Sequence, residues 1–553
     1  MLGGGEAHGW RSGGAIVTLA LAAALGAPGP ALADTASEIR ALKAELKRLE
    51  ARLDSRSVTH EATTHPNSTK AAPAANAPPP VFVSFKNGLF VESEDKSFDF
   101  KIGGRIHMDG GFASSADTIR RSNAGFRRAE LEVAGRAYGN WIYRFQYDFA
   151  TAAGGVAGIR DAYLAYRAKL LPGWISAQPV SLQIGNFHEP FGREVLDGDK
   201  HMTFIERGLA ANLGPARHIG AAVGVGDESW ALKGGIFSTS PQDTATAPPP
   251  GGAQYWDASA RAIYAPVHEE DALVHLGAAF VYHRPNSSTG ATDATNLTPG
   301  ASGFERELTG ILGAGGATVR VPAAQDLSCA ASAATLNVAT TGAGQLVAPF
   351  VQRPSCLKYS YNYGFEAAAA YGPVSVTAEY VGAQYERDAL LAFLYANGGG
   401  SRLHYSAYQI AASLFLTGES RAASYDGYDK NWSSPGTFGD VRIKNPLNKG
   451  GYGAFEVAAR YDGIDLNNGG VAPASFVYLA TATGSAAQKA IANTATLGGR
   501  QENLTVALNW YPVRGVRFQA NWTRAMTLIA PSDRPFLNGD HPSLFLARAQ
   551  VFW

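Results

Sequence analysis

The amino-acid sequence predicts an all-β fold: a sixteen-stranded antiparallel transmembrane β-barrel preceded by a short N-terminal coiled-coil helix. Three observations carry that expectation. Runs with period-two alternation recur from residue 98 onward, and none is long and apolar enough for a membrane helix. Short turn sequences alternate along the chain with much longer connections. The first residues have the form of an export signal. An exported chain that spans a membrane without apolar helices satisfies its backbone polar groups only by closing a barrel.

The clearest stretch runs from Phe126 to Ala150, two strands around a turn at Tyr138-Gly139-Asn140. In the second strand Trp141, Tyr143, Phe145, Tyr147 and Phe149 share one face, and Arg144, Gln146 and Asp148 the other. In the first, Ala129, Leu131, Val133 and Gly135 oppose Arg128, Glu130, Glu132 and Arg136. A soluble sandwich would turn the aromatics inward and the charges to water. A membrane barrel turns the aromatics to lipid and the charges to a wet lumen.

Composition narrows the function classes. Among 553 residues there are 63 glycines, 10% aromatics and only 17% charged residues, which suits one large β structure. The 47 basic and 47 acidic side chains balance, so bulk charge gives no reason to expect a nucleic acid. No HExxH, GxSxG or glycine-rich phosphate loop is present, so neither an enzyme nor a metal or cofactor is expected.

The chain divides into four segments. Residues 1–33 read as a signal peptide: Arg11, an apolar run, then Ala31-Leu32-Ala33, with Pro28 and Pro30 breaking any continuous anchor. Residues 34–56 carry Ile39, Leu42, Leu46, Leu49 and Leu53 at 3-4 spacing, a coiled-coil seam. So short a seam implies self-association, the alternative being an amphipathic helix on the protein's own surface. Residues 57–80 form a Pro/Ala-rich linker, and 81–553 the barrel domain.

Sixteen strands are expected at 98–113, 124–138, 141–150, 158–168, 179–187, 217–226, 229–237, 255–264, 272–283, 358–371, 373–384, 403–416, 450–461, 501–511, 515–527 and 542–553. The last, LFLARAQVFW, alternates and ends on Trp553, in the manner of an outer-membrane assembly signal. The connection 284–357 holds both cysteines, Cys329 and Cys356, expected to form a disulfide across an external loop, with two free thiols as the alternative. Strand parity puts 417–449, with Lys430, Arg442, Lys444 and Lys449, on the periplasmic side. It is long for such a turn: either periplasmic decoration or a segment folded back into the pore mouth.

The stretches KIGGRIHMD, GFRRAELEVAGRAYGNWIYRFQYDFA, IRDAYLAYR, LQIGNFHEPFGRE, MTFIERG and GAFEVAARYDGIDL, with the terminal strand, resemble the phosphate-selective porins O and P. The resemblance covers nearly everything after residue 90. It implies an outer-membrane trimer of sixteen-stranded barrels with an arginine- and lysine-lined passage for phosphate or other anions. It also implies a third external loop, about 188–216, folded into the barrel. Residue by residue it assigns Arg105, Arg127, Arg128 and Asp161 to the anion site and puts His188 where a basic residue is common. A histidine near its reference pKa of about 6.5 is only partly charged at neutral pH. That departure implies weaker anion binding here, or stronger binding in acid.

Alternation alone sets Lys101, Arg105 and Arg128 inward, and guanidinium groups on neighbouring strands can converge on one oxyanion. It sets Arg127 outward unless the ladder is irregular there. The loop adds Glu189, Arg193 and Lys200, a mixed set able to create a transverse field at a constriction. The bland reading is that these arginines only neutralise Glu130, Glu132 and Asp109. Expected partners are phosphate or other small anions, outer-membrane lipid and two further copies of the chain, with cell-wall contact through the coiled coil as an added possibility. A general or sugar-uptake porin and a structural tether are the alternative functions.

Overall fold

The computed structural model describes residues 80–85, 88–114, 120–150, 158–176, 178–238, 256–284, 357–387, 402–466, 500–529, 539 and 541–553. The signal peptide, coiled coil, most of the linker, and both Cys329 and Cys356 lie outside the described residues.

In chain order the strands are β1 (Val81–Phe85), β2 (Leu89–Ser93), β3 (Asp99–Ser114), β4 (Arg120–Ala137), β5 (Trp141–Asp148), β6 (Gly158–Ala168), β7 (Val180–His188), β8 (Arg217–Gly226), β9 (Trp230–Phe237) and β10 (Trp256–His268). There follow β11 (Ala272–Arg284), β12 (Leu357–Tyr371), β13 (Val374–Arg387), β14 (Arg402–Phe415), β15 (Tyr425–Asp426), β16 (Thr437–Phe438), β17 (Ala454–Asp465), β18 (Arg500–Val513), β19 (Val516–Ile529) and β20 (Ser543–Phe552). The sixteen strands β3–β14 and β17–β20 each pair antiparallel with the next, and β20 closes on β3 with Arg548 opposite Asp109. The expected sixteen-stranded barrel is the observed one. Closure removes every sheet edge from the membrane-spanning wall.

Alternation decides which way each side chain faces. On β19 Phe518 and Trp522 point out and Arg517, Gln519 and Asn521 are buried inside. On β3 Ile106, Met108 and Phe112 point out, while Arg105, His107 and Asp109 are buried. Aromatic rings gather outside near the rim, with Trp510 stacked between Phe455 and Phe518 at centroid distances of 6.0 and 5.5 Å. This is the girdle of a barrel whose solvent is lipid.

One end carries short turns at 138–140, 227–229, 269–271, 372–373 and 514–515. At the first, Tyr138 and Gly139 take φ of 51° and 74°, a left-handed pair that tightens the hairpin. Two exceptions to this simple wall matter for the lumen. The connection 189–216 enters from the long-loop end, and 416–453 enters from the short-turn end.

The hairpin β1–β2 lies outside the ring. Strand β20 stops pairing with β3 at Arg105, and β2 continues along β3 from Ile102 to Asp99.

Candidate constriction site

The connection 189–216, which includes a short helix α1 (Arg193–Leu196), spans the lumen because its two flanks match two different walls. On one side Phe191, Leu209 and Leu213 are buried in one cluster with Val381, Ala383, Ala407 and Ile464 of β13, β14 and β17. Burying each such side chain contributes about 1.5–3 kcal/mol, so this face anchors the loop. The Leu209 amide also donates to Asp462 Oδ2 at 2.7 Å. On the other side the loop offers acids to wall arginines. Glu206 accepts from Arg127 at 2.7 Å and pairs with Arg548 at 3.3 Å. Asp199 pairs with Arg128 at 2.7 Å and with Arg207 of the loop itself at 2.8 Å. The loop fold implied by the resemblance is therefore present.

Arg127 faces inward through a defect in the ladder. His107 pairs with Arg128 and Met108 with Phe126, leaving Arg127 as the extra residue of a bulge. The irregularity that alternation required for this side chain is there.

The segment 416–453 does not stay at the rim; of its two expected courses it takes the inward one. The Tyr428 hydroxyl donates to Gly224 O at 2.7 Å, Lys233 donates to Ser433 O at 2.6 Å, and Arg261 to Pro435 O at 2.6 Å. Three lumen-facing groups of β8, β9 and β10 thus hold it against the wall. The Phe438 amide then reaches Asp197 of the opposite loop at 2.9 Å.

Between the two inserted segments lies a cavity of about 250 Å³. Its basic lining is Arg105, Arg144, Lys200, Arg207 and Arg217, and its acidic lining is Glu132, Asp161, Asp197, Asp199 and Asp426. Most of these charges are paired. Arg105 Nε donates to Glu130 at 2.6 Å, and Arg144 binds Glu132 at 2.5 Å. Asp161 accepts from Arg217 at 2.6 Å and lies 3.4 Å from Arg144. Lys200 differs: among the described residues it has no carboxylate partner, and its ammonium sits 5.2 Å from the Phe552 ring centroid. Burial, with Arg105 and Arg144 nearby and Glu132 opposing them, pushes its pKa down to about 8. Burial works against the charge on Asp199, but Arg128 and Arg207 hold its carboxyl well below the usual range. Burial also pushes the Asp426 carboxyl up to about 6, against the pull of Lys430.

Of the residues singled out from sequence, Arg105, Asp161, His188 and Lys200 line this cavity. Arg127 and Arg128 stand beside it, bound to the loop acids. Three others lie elsewhere. Lys101 is four residues along β3 from Arg105, about 13 Å at strand spacing. Arg193 is turned to the opposite side of the loop, between Asp197 and Glu379. Glu189 is fully buried at the loop root, bound to His218. Loop backbone direction, which no period reveals, decides the last two.

The sequence reading missed Arg217 and Arg548. Arg217 sits directly across the ladder from His188, so a guanidinium accompanies the histidine that stands where a basic residue was expected. Arg548 shares the parity of Leu544, Leu546 and Gln550 in the terminal strand, a signal that was available. The pairing of Arg105 with Glu130, Arg144 with Glu132 and Arg548 with Asp109 agrees with the bland reading that wall arginines neutralise wall acids.

A family model described as phosphate-selective porin O and P matches residues 100–303 and 353–553. Porin O of Pseudomonas aeruginosa is 25% identical over 465 residues, covering 81% of this chain and 87% of that protein. An uncharacterized protein of Caulobacter vibrioides is 26% identical over 535 residues, covering 91% and 86%. Among solved structures, an anion-selective porin from Comamonas acidovorans aligns at TM-score 0.38 and 10% identity, over 82% of this chain and all of that one. The trimer form of OmpT from Vibrio cholerae aligns at 0.40 and 10%, over 83% of this chain and 100% of that one.

Proposed function

The chain belongs to the phosphate-selective porin O and P family, channels of the bacterial outer membrane rather than enzymes, and on that premise we propose that its solutes are small anions, phosphate or polyphosphate among them. The observation that carries this reading is Lys200: an ammonium in the lumen cavity with no carboxylate partner among the described residues, beside guanidiniums that have them. An entering anion exchanges water for the Lys200 ammonium and for the positive field of the Arg144 and Arg217 guanidiniums that line the same cavity. Asp161 keeps its hold on both guanidiniums throughout. The anion therefore meets donors already partly satisfied, and it leaves readily, as conduction requires. His188 completes this wall, and His188→Lys would add a full charge to it.

The equal numbers of acids and bases lining the cavity, five and five, favour a second reading: a general porin of weak selectivity. Reversal potentials of the purified protein in planar bilayers under a potassium chloride gradient separate the two. Anion-over-cation permeability that falls in Lys200→Gln supports the first reading, and no preference in wild type supports the second. Phosphate added on one side should also block chloride current in wild type and do so less in Lys200→Gln. Assembly as a homotrimer, with the 34–56 segment as a periplasmic coiled coil, belongs to the same proposal. Mass photometry of the detergent-extracted protein with and without residues 34–56 tests it.

A further inference from the structure

At the root of the constriction loop, away from the cavity, three strands bring a second set of polar groups together. Glu189 follows β7 directly, His218 is the second residue of β8, and Asp257 is the second of β10. One ligand atom from each lies within 4.8 Å of the other two. His218 Nδ1 is 2.5 Å from Glu189 Oε1 and 3.8 Å from Asp257 Oδ2, so one imidazole nitrogen faces two carboxylates. Glu189 is 0% and Asp257 3% exposed. Two carboxylates held side by side out of water repel unless a cation or a proton lies between them.

Two further observations point to a cation. Glu189 Oε2 is buried and receives no hydrogen bond from a donor among the described residues, while the Glu189 carboxyl lies within hydrogen-bonding reach of Asp257, so the two acids need a positive charge, proton or metal ion, between them. Asp257 is fixed from behind: His283, its cross-strand partner on β11, bonds Oδ1 through Nδ1, which leaves Oδ2 on the His218 side. Carboxylates that ligate a metal are themselves held by outer hydrogen bonds, and His283 supplies one here. One imidazole and two carboxylates make a nitrogen–oxygen set suited to zinc or manganese rather than to copper(I) or calcium.

We propose that Glu189, His218 and Asp257 bind one divalent transition-metal ion, of the zinc or manganese class, that pins the root of the constriction loop to strands β8 and β10. The small rotamer changes needed to close the three ligand atoms to about 3.5 Å fall on a loop residue and two strand ends. The ion would replace the His218–Glu189 hydrogen bond and take up Glu189 Oε2. It is independent of which solute the pore passes.

The experiment uses the whole porin, extracted in detergent, stripped with chelator and dialysed. Zinc chloride, and separately manganese chloride, is titrated in and followed by elemental analysis and by thermal unfolding. The expected result is one ion retained per chain, with a raised unfolding midpoint. Asp257→Asn and Glu189→Gln, which keep shape and remove ligand charge, should each weaken retention at least tenfold, while Glu270→Gln at an exposed turn should not. Heat-modifiable migration shows that each variant is folded. No stoichiometric ion in folded wild type overturns the proposal and leaves a carboxylate–histidine hydrogen-bond network. Equal retention by wild type, Asp257→Asn and Glu189→Gln also overturns it, since the ion then sits elsewhere.

Discussion

The Phe438 amide donates to Asp197 Oδ1 at 2.9 Å, and through that bond two segments that enter the barrel from opposite ends meet inside it. Asp197 belongs to the loop 189–216 and Phe438 to the β15–β16 ribbon of segment 416–453. The Arg193 guanidinium covers the same ring at 5.3 Å. The narrow part of the lumen is therefore bounded by two inserted segments as well as by the wall.

Shortening the second segment should widen the pore. Replacing residues 427–436 by a short glycine-serine linker removes the Tyr428, Ser433 and Pro435 contacts without touching a membrane strand. Single-channel conductance is expected to rise about twofold, as an aqueous pore of larger section passes more current. Unchanged conductance would mean that ions do not pass between the two segments.

Lys200 predicts a pH dependence. Its pKa is lowered to about 8, so the ammonium is present below that value and lost as pH rises through it. Chloride-over-potassium selectivity should fall between pH 7 and pH 9 in wild type. Lys200→Gln should show the lower selectivity at both pH values, and a wild-type profile that is flat would remove Lys200 from the permeation path.

Asp426 acts with the same sign at lower pH. Its carboxyl, raised to about 6, is ionised at pH 7 and neutral at pH 5. The raised value means that folding favours the protonated form, so the ribbon gains stability as pH falls from about 6 toward 4. Anion selectivity measured by reversal potential should rise over that interval in wild type and stay constant in Asp426→Asn.

Arg105 and Glu130 are coupled. Arg105→Ala leaves a buried carboxylate with only Gln146 and a more distant Arg128, a loss on the order of 3 kcal/mol. It also changes the lumen charge by a full unit, so anion selectivity should drop. The double change Arg105→Ala/Glu130→Gln should recover much of both, as read from the unfolding midpoint and the reversal potential. Arg136, paired with Asp99 and half exposed at the far end of β4, should change selectivity little when replaced by alanine.

The barrel was legible because lipid outside and water inside impose one rule on every strand. Period two, read from Phe518, Trp522 or Met108, sufficed for all sixteen. Alternation made the candidate site legible where it rests on strands, as with Arg105 and Asp161, and the family resemblance pointed to the inserted loop that carries Lys200. Glu189 and Arg193 belong to a loop whose course depends on the fit of Phe191 and Leu209 to a wall nearly two hundred residues away in sequence. The inward course of 416–453 is of the same kind. It depends on Lys233 and Arg261 finding backbone carbonyls, and no local pattern encodes that.

The bulge at Arg127 has a mechanical consequence. A regular strand presents a side chain to the lumen once every 6.8 Å or so, whereas here neighbouring arginines with Cα atoms about 3.8 Å apart both do. Arg127 holds Glu206 and Arg128 holds Asp199, so a single strand grips the loop at two points seven residues apart. One grip would be a pivot about which the loop could swivel. Two resist torque, and the orientation of the Lys200 segment between them is set by that lever arm.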